Sequence, residues 1–173
     1  MKIWKSILLS LVVLQMSCSQ QVASIKPSTQ NKLTDNHGYL LLSVDTSIDL
    51  EQLNVSGQKS FHLGAADLTA GTHHILVDLP AGDYQIDSVK LNNWWRLQLK
   101  SGYWNFKVQA GQISYIGDLQ LKGRLPELEN RSSMALQYLE QQHKALLKNY
   151  QVRYSGPGDD HYFEFATAQG VTP

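Results

Sequence analysis

Cysteine is all but missing from this sequence, with one residue, Cys18, in 173. A single thiol excludes an internal disulfide and any multi-thiolate metal site. Charge is sparse and balanced, 15 basic residues against 15 acidic. There is no polybasic patch, so a nucleic-acid partner has no electrostatic support. The apolar run Ile7 to Leu14 is too short for a spanning helix, which needs about 20 apolar residues. No Gly-x-Ser-x-Gly elbow surrounds any serine, so the common signature of a serine hydrolase is lacking. The length is that of one domain.

What is there begins with a targeting segment over residues 1–17. Lys2 and Lys5 make a positive start, and Ile7 to Leu14 supplies an apolar stretch of signal-peptide length. The segment ends Leu14-Gln15-Met16-Ser17-Cys18. This resembles the lipobox of bacterial lipoproteins, where a small residue precedes the cysteine that receives the lipid. Ser17 and Cys18 fit; Gln15 stands where Leu is usual, and Met16 where Ala or Ser is usual. The alternative is an ordinary cleaved signal peptide with an incidental cysteine. The resemblance implies that Cys18 becomes the first mature residue, carrying several acyl chains, each buried methylene contributing about 0.8 kcal/mol of anchoring. By the sorting rule of Gram-negative lipoproteins, Ser19 implies the outer membrane. Loss of Lys2 and Lys5 leaves 13 basic and 15 acidic residues. From Cys18 to Asn36 the chain is polar and aperiodic and reads as a flexible tether.

Residues 37–123 read as a β-sandwich. Gly38 to Val44 is apolar on both faces, as in a central strand. Asp45 to Ser56 reads as a loop with a helical turn near Ile48 to Leu53, and Lys59 to Ala65 as a strand with Phe61 and Leu63 inward. From Thr72 to Lys122 short alternating strands are broken by turn residues such as Pro80-Ala81-Gly82-Asp83 and Ala110-Gly111. Ile75, Val77 and Leu79 face one way, with Leu76 breaking the alternation. Trp95, Leu97 and Leu99 share a phase, as do Trp104, Phe106 and Val108. Gly117 marks a bulge. The expectation is an antiparallel sandwich of about seven strands, with Tyr84, Ile86, Phe106, Tyr115 and Leu119 in one core.

Residues 124–173 read as one helix and a tail. Ser132 or Ser133 is the expected N-cap. Leu136, Leu139, His143, Leu146, Leu147 and Tyr150 form a stripe at helical spacing that needs an apolar surface to cover. Gly156-Pro157-Gly158 is a turn, and Tyr162 to Phe165 a last edge strand.

The segments LPAGDYQIDSV and FKVQAGQISYIGDLQL resemble the pattern of prealbumin-like (carboxypeptidase regulatory-like) sandwiches, in which a Pro/Gly turn feeds a strand through a tyrosine, here Tyr84. They look closer still to a group of uncharacterised proteobacterial lipoproteins. The resemblance covers Gly38 to Lys122 and implies a fold; it supplies no catalytic residues.

Four groups are candidates for function. Three of the four tryptophans fall close together; Trp95 and Trp104 share the core phase, while Trp94 and Tyr103 fall on the opposite one. Exposed aromatics stack on sugars or contact proteins. The favoured reading is that a second layer, such as the carboxyl-terminal helix, covers them. Asp159, Asp160 and His161 are candidate metal ligands in a Gly-rich loop, and solvated loop residues otherwise. His73 and His74, with Asp78 nearby, point to opposite faces of a strand and cannot share a site there. Asp83, Asp87 and Asp118 would serve a glycan- or peptidoglycan-processing enzyme only if they converged in a cleft. The sequence implies no cofactor. Its leading reading is a non-enzymatic binding or scaffolding module, lipid-anchored at the outer membrane and facing the periplasm, with an envelope protein or peptidoglycan as partner.

Overall fold

The computed structural model describes residues 19–27, 32–100 and 102–168. The targeting segment and Cys18 lie outside the described residues. In chain order the strands are β1 (Gln20–Val22), β2 (His37–Thr46), β3 (Gln52–Gly57), β4 (Phe61–Gly64), β5 (Gly71–Pro80), β6 (Gly82–Lys90), β7 (Arg96–Gln98), β8 (Asn105–Val108), β9 (Gln112–Gln120), β10 (Glu127–Glu129) and β11 (Gln151–Tyr154). The helices are α1 (Ser132–Gln142), α2 (Lys144–Leu147) and α3 (Tyr162–Ala168).

The strands make two sheets, so the chain is a mainly β sandwich with eleven strands among the described residues, not seven. Sheet A runs β1-β4-β3-β6-β7, with β8 also pairing β6. Sheet B runs β10-β9-β2-β5, with β11 also pairing β9. Most neighbours are antiparallel, but β1–β4, β2–β9 and β11–β9 are parallel.

Two cores explain the patterning. Between the sheets, Leu40, Leu42, Val55, Ile75, Tyr84 and Phe106 pack with their neighbours. On the far side of sheet B, Tyr39, Leu41, Leu76, Ile113 and Tyr115 meet Leu136, Leu139, Leu146 and Phe163 from the helices. Sheet B is thus covered on both faces, which is why β2 is apolar on both and why Leu76 breaks the alternation of β5. Tyr115 accordingly lies in the helix-side core and not with Tyr84, Ile86, Phe106 and Leu119. The bulge at Gly117 (φ 114°) lets Ile116 and Leu119 both face the sandwich. Tyr84 caps the turn that precedes it, donating its hydroxyl to Pro80 O at 2.8 Å.

Several boundaries differ from the sequence reading. Gln52 to Gly57 is a strand with no helical turn, because Leu53 and Val55 alternate inward. The helix breaks at His143 (φ −134°, ψ 36°) before resuming as α2. Neither Ser132 nor Ser133 is the N-cap; Arg131 takes that place, without a side-chain capping bond, and Ser132 N–H donates instead to Asn130 Oδ1 at 3.1 Å. Tyr162 to Ala168 is a helix, because Asp160 Oδ1 accepts Tyr162 N–H at 2.8 Å and turns the chain, burying Phe163 and Ala166 at helical spacing. Residues 124–173 also give β10 and β11 to sheet B and so complete the sandwich.

The largest difference is at the amino end. Residues 19–27 and 32–36, expected within a tether, lie on the domain. Beyond β1, Ile25 N–H donates to Leu76 O at 2.7 Å, Leu76 N–H donates to Ser24 Oγ at 3.1 Å, and Leu33 N–H donates to Tyr150 Oη at 3.2 Å. Val22 packs on the first core, Ile25 and Leu33 on the second. The physical reason is that edge strands β4 and β5 offer unpaired backbone groups, which this mostly polar segment satisfies with its main chain and the Ser24 hydroxyl, while Val22, Ile25 and Leu33 add apolar contacts. No helix among the described residues is long and apolar enough to cross a membrane.

Candidate functional site

Trp94 and Trp95 stand in the β6–β7 hairpin loop, 90 % and 70 % exposed. Trp94 has the off-core phase that its sequence position predicts but, contrary to the favoured reading, is not covered by the helix; Trp95, assigned to the core by its phase, is exposed as well. The cause is Asn92. Its Oδ1 accepts both Trp94 N–H (2.8 Å) and Trp95 N–H (2.9 Å), while Leu91 N–H donates to Trp95 O at 2.9 Å. These bonds close a tight turn that directs both rings outward before the inward alternation resumes at Leu97. Trp104 is core, as expected, at 6 % exposure.

Tyr103 is different from its expected partner in binding. Its ring is 42 % exposed, but its hydroxyl donates to Leu128 O at 3.0 Å and accepts Leu128 N–H at 3.1 Å. Tyr103 therefore ties the β7–β8 edge of sheet A to β10 of sheet B. The helices do not cover either ring, since they pack on the other face of sheet B.

The registers fix where this loop lies. Gln20 pairs with Phe61, Val55 with Phe61 and with Ile86, and Gln52 with Lys90. The chain thus comes onto sheet A opposite Phe61, at its first strand, β1, while the tryptophans follow Lys90 beside its last strand, β7. Gln20 lies level with Ile86, the middle of β6, so the two points are on opposite edges of the sheet and about four residues apart along the strands.

The other candidates do not assemble. Asp160 is taken up in structure: Oδ1 caps α3 and Oδ2 accepts the Ser132 hydroxyl. Burial alone would raise its pKa, but hydrogen bonds from Ser132, Asn130 and Tyr162 outweigh it and hold the carboxyl below the usual range. His161 is solvent-facing and sits 3.2 Å from Glu164. Among the described residues no group of three or more His, Cys, Asp or Glu side chains gathers as a metal site, so Asp159, Asp160 and His161 do not make one. His73 bonds Thr69 Oγ1, His74 stacks on Tyr138, and Asp78 pairs with His37 Nδ1 at 2.5 Å. Asp83 and Asp87 lie on the open face of sheet A, whereas Asp118 is buried under the helices on sheet B; the three do not converge.

Sequence reasoning missed one polar row. Ser43 pairs in register with His74 on one side and Asp118 on the other, on the helix-side face of sheet B. Ser43 Oγ, His74 Nε2 and Asp118 Oδ2 are buried without hydrogen-bond partners among the described residues. Asp118 Oδ1 accepts the Tyr115 hydroxyl at 2.7 Å, and Arg131 Nε lies 4.0 Å from Oδ2. Ser43 is 0 % exposed and Asp118 1 %, so the row is closed to a substrate.

The chain matches no protein-family model, no curated protein and no solved structure. Functional argument therefore rests on this geometry.

Proposed function

We propose that this chain is an envelope lipoprotein, anchored through acylated Cys18 in the outer membrane and facing the periplasm, that acts as a non-enzymatic binding or scaffolding module. The observation that supports it is the exposed Trp94–Trp95 pair on a fixed loop, at the edge of sheet A opposite to the amino-terminal strand. Only Ser19 separates Cys18 from Gln20, where β1 begins. An anchored domain would have little slack, and its Gln20 end would face the bilayer. Four strand spacings across sheet A and the rise from Ile86 to Lys90 along β6 together separate Gln20 from the β6–β7 loop by about 20–25 Å. The indoles would be held roughly that far from the anchoring membrane, on the side where an envelope protein or peptidoglycan is presented. Tryptophan on a preorganised loop is suited to such a contact, since its large ring loses little entropy on binding. The sequence resemblance of LPAGDYQIDSV and FKVQAGQISYIGDLQL to prealbumin-like sandwiches and to the related lipoproteins accords with this reading.

Two readouts from intact cells test this reading. Cys18→Ala is expected to abolish incorporation of a fatty-acid analogue and to release the protein from the membrane. A photo-crosslinker at position 94 is expected to capture an envelope component, and one at Glu140, on the helix layer, is not. Equal labelling of wild type and variant would remove the anchor. Equal capture from both positions would remove the binding role of the tryptophans.

A further inference from the structure

The outward face of sheet A is uncovered, and it is unusually rich in carboxamides. The rows across it read Gln52–Lys90–Arg96, Asn54–Ser88–Gln98, Ser56–Gln85–Asn105 and Asp83–Lys107, as the strand registers set them side by side. Gln52, Asn54, Gln85, Gln98 and Asn105 are all half or fully exposed. The second core, with its helices, draws on sheet B and lies away from this face. A solvated sheet face needs only polarity; five carboxamides on one face are a more particular choice. Each carries a donor and an acceptor, the combination that a sugar hydroxyl requires.

Three further observations point to the same ligand. The carboxamides are held in place: Gln52 Nε2 donates to Asn54 Oδ1 at 2.7 Å, Asn54 Nδ2 donates to Ser88 Oγ at 3.1 Å, and Gln85 Nε2 donates to Leu99 O at 3.3 Å. Each still keeps donor or acceptor capacity for a ligand. The charges on the face sum to zero, with Lys90 bound to Glu51 at 2.5 Å, Lys107 paired in register with Asp83, and exposed Arg96 offset by Asp87 on the same face, which favours a neutral ligand. An open groove of about 540 Å³ lies at the Gly57–Asp83 end of the face, lined among others by Ser56, Gln85, Asn105 and Ser155, whose buried Oγ lacks a partner among the described residues. At the other end of the same sheet stand Trp94 and Trp95, which offer flat apolar rings to the C–H faces of sugars.

We infer that the outward face of sheet A binds an extended neutral polysaccharide strand, gripped at one end by stacking on Trp94 or Trp95 and along its length by the carboxamide rows. The inference rests on the reading of the tryptophan pair as a contact surface and names its ligand class. Charge neutrality excludes strong electrostatic capture, so affinity comes from stacking and hydrogen bonds.

The test uses the full-length acylated protein in detergent micelles, with chitohexaose and cellohexaose as probes, read by tryptophan fluorescence and amide NMR shifts. At least one probe is expected to bind, with shifts on β3, β6, β7 and β8. Gln98→Ala and Asn54→Ala are each expected to weaken it by about fivefold, the loss of roughly one hydrogen bond. Raising the salt from about 0.01 M to about 0.15 M is expected to leave the affinity unchanged. Failure of the folded protein to bind either probe would overturn the inference, while capture from position 94 in cells would still decide the broader reading. Loss of binding in Trp94→Ala with wild-type affinity in both carboxamide variants would confine the contact to the loop and reject the face. A steep salt dependence would contradict a neutral ligand.

Discussion

The Tyr103 hydroxyl closes on the Leu128 peptide from both sides, donating to its carbonyl and accepting from its amide. Leu128 belongs to the short strand β10, which pairs only with β9. The phenol thus does the work of a missing neighbour strand at the open edge of the sandwich. Tyr103→Phe keeps the ring and unpairs both peptide groups. It should lower unfolding stability by about 1–2 kcal/mol, measured by urea titration. Ligand or partner contact through Trp94 should survive it. A variant with unchanged stability and lost binding would return Tyr103 to the binding surface.

Trp94→Ala and Trp95→Ala should behave in the opposite way. Both rings are mainly in solvent, so each substitution should change stability by no more than about 0.5 kcal/mol. Asn92→Ala leaves the rings and removes the acceptor that fixes them. Binding should weaken because ordering the loop is then charged to association. NMR relaxation on the Trp94 and Trp95 amides measures the loosening; rigid amides in the variant would deny Asn92 its role.

Gly117 has φ of 114°, and a Cβ there would lie 3.0 Å from Glu129 O. Gly117→Ala should therefore cost about 1–3 kcal/mol through backbone strain and a clash with β10. Gly111, also at positive φ but with nothing within 4 Å, separates the two causes: Gly111→Ala carries strain without the clash and should cost less. Equal losses in the two variants would show that the β10 contact contributes nothing.

Two histidines, the half-buried His74 and the buried His143, set the acid side of the stability profile. Burial lowers the pKa of His74, with His73 adding to the effect and Asp118 opposing it. Burial also lowers that of His143, whose Nε2 is 3.1 Å from the Tyr138 hydroxyl. A depressed folded pKa means that the unfolded chain binds the proton first. Stability should be full above the unfolded value of about 6.5 and should fall as the pH drops through it toward the folded values. Asp45 and Asp160 stay ionised in that window. Burial opposes ionisation in both, but hydrogen bonds, from Lys122 and Thr72 at Asp45 and from Ser132, Asn130 and Tyr162 at Asp160, hold both below the usual carboxyl range. Urea midpoints between pH 7.5 and 5 should decline, and His74→Gln with His143→Gln should flatten the decline. A flat wild-type profile would contradict it.

Period-two patterning carried most of the fold, and its failures have identifiable causes. Trp104, Phe106 and Val108 face the core as their alternation predicts, because β8 is regular. Trp95 was misassigned because alternation was carried through a turn that the Asn92 side chain had already reset. Tyr115 was assigned to the wrong core because a bulge two residues later shifts the phase, and nothing in a local pattern says which side of a bulge is the outer one. Residues 19–27 looked like a tether because their attachment is largely through backbone atoms, which composition does not register. The tryptophan pair was half legible from phase. The carboxamide face was present in the sequence as the polar half of each alternation, but only strand registers bring Asn54, Ser88 and Gln98 side by side.

In the proposed arrangement the amino-terminal edge of sheet A stands at the bilayer and the tryptophans stand at the far edge. Depth-dependent quenching measures this directly. The acylated protein would be reconstituted in vesicles containing lipids brominated along their acyl chains, and its tryptophan emission compared with that in unbrominated vesicles. The account predicts membrane-bound protein with unquenched emission, because Trp94 and Trp95 lie about 20–25 Å from the anchored end, across sheet A. Strong quenching of bound protein would place the tryptophans in the membrane interface and contradict the account.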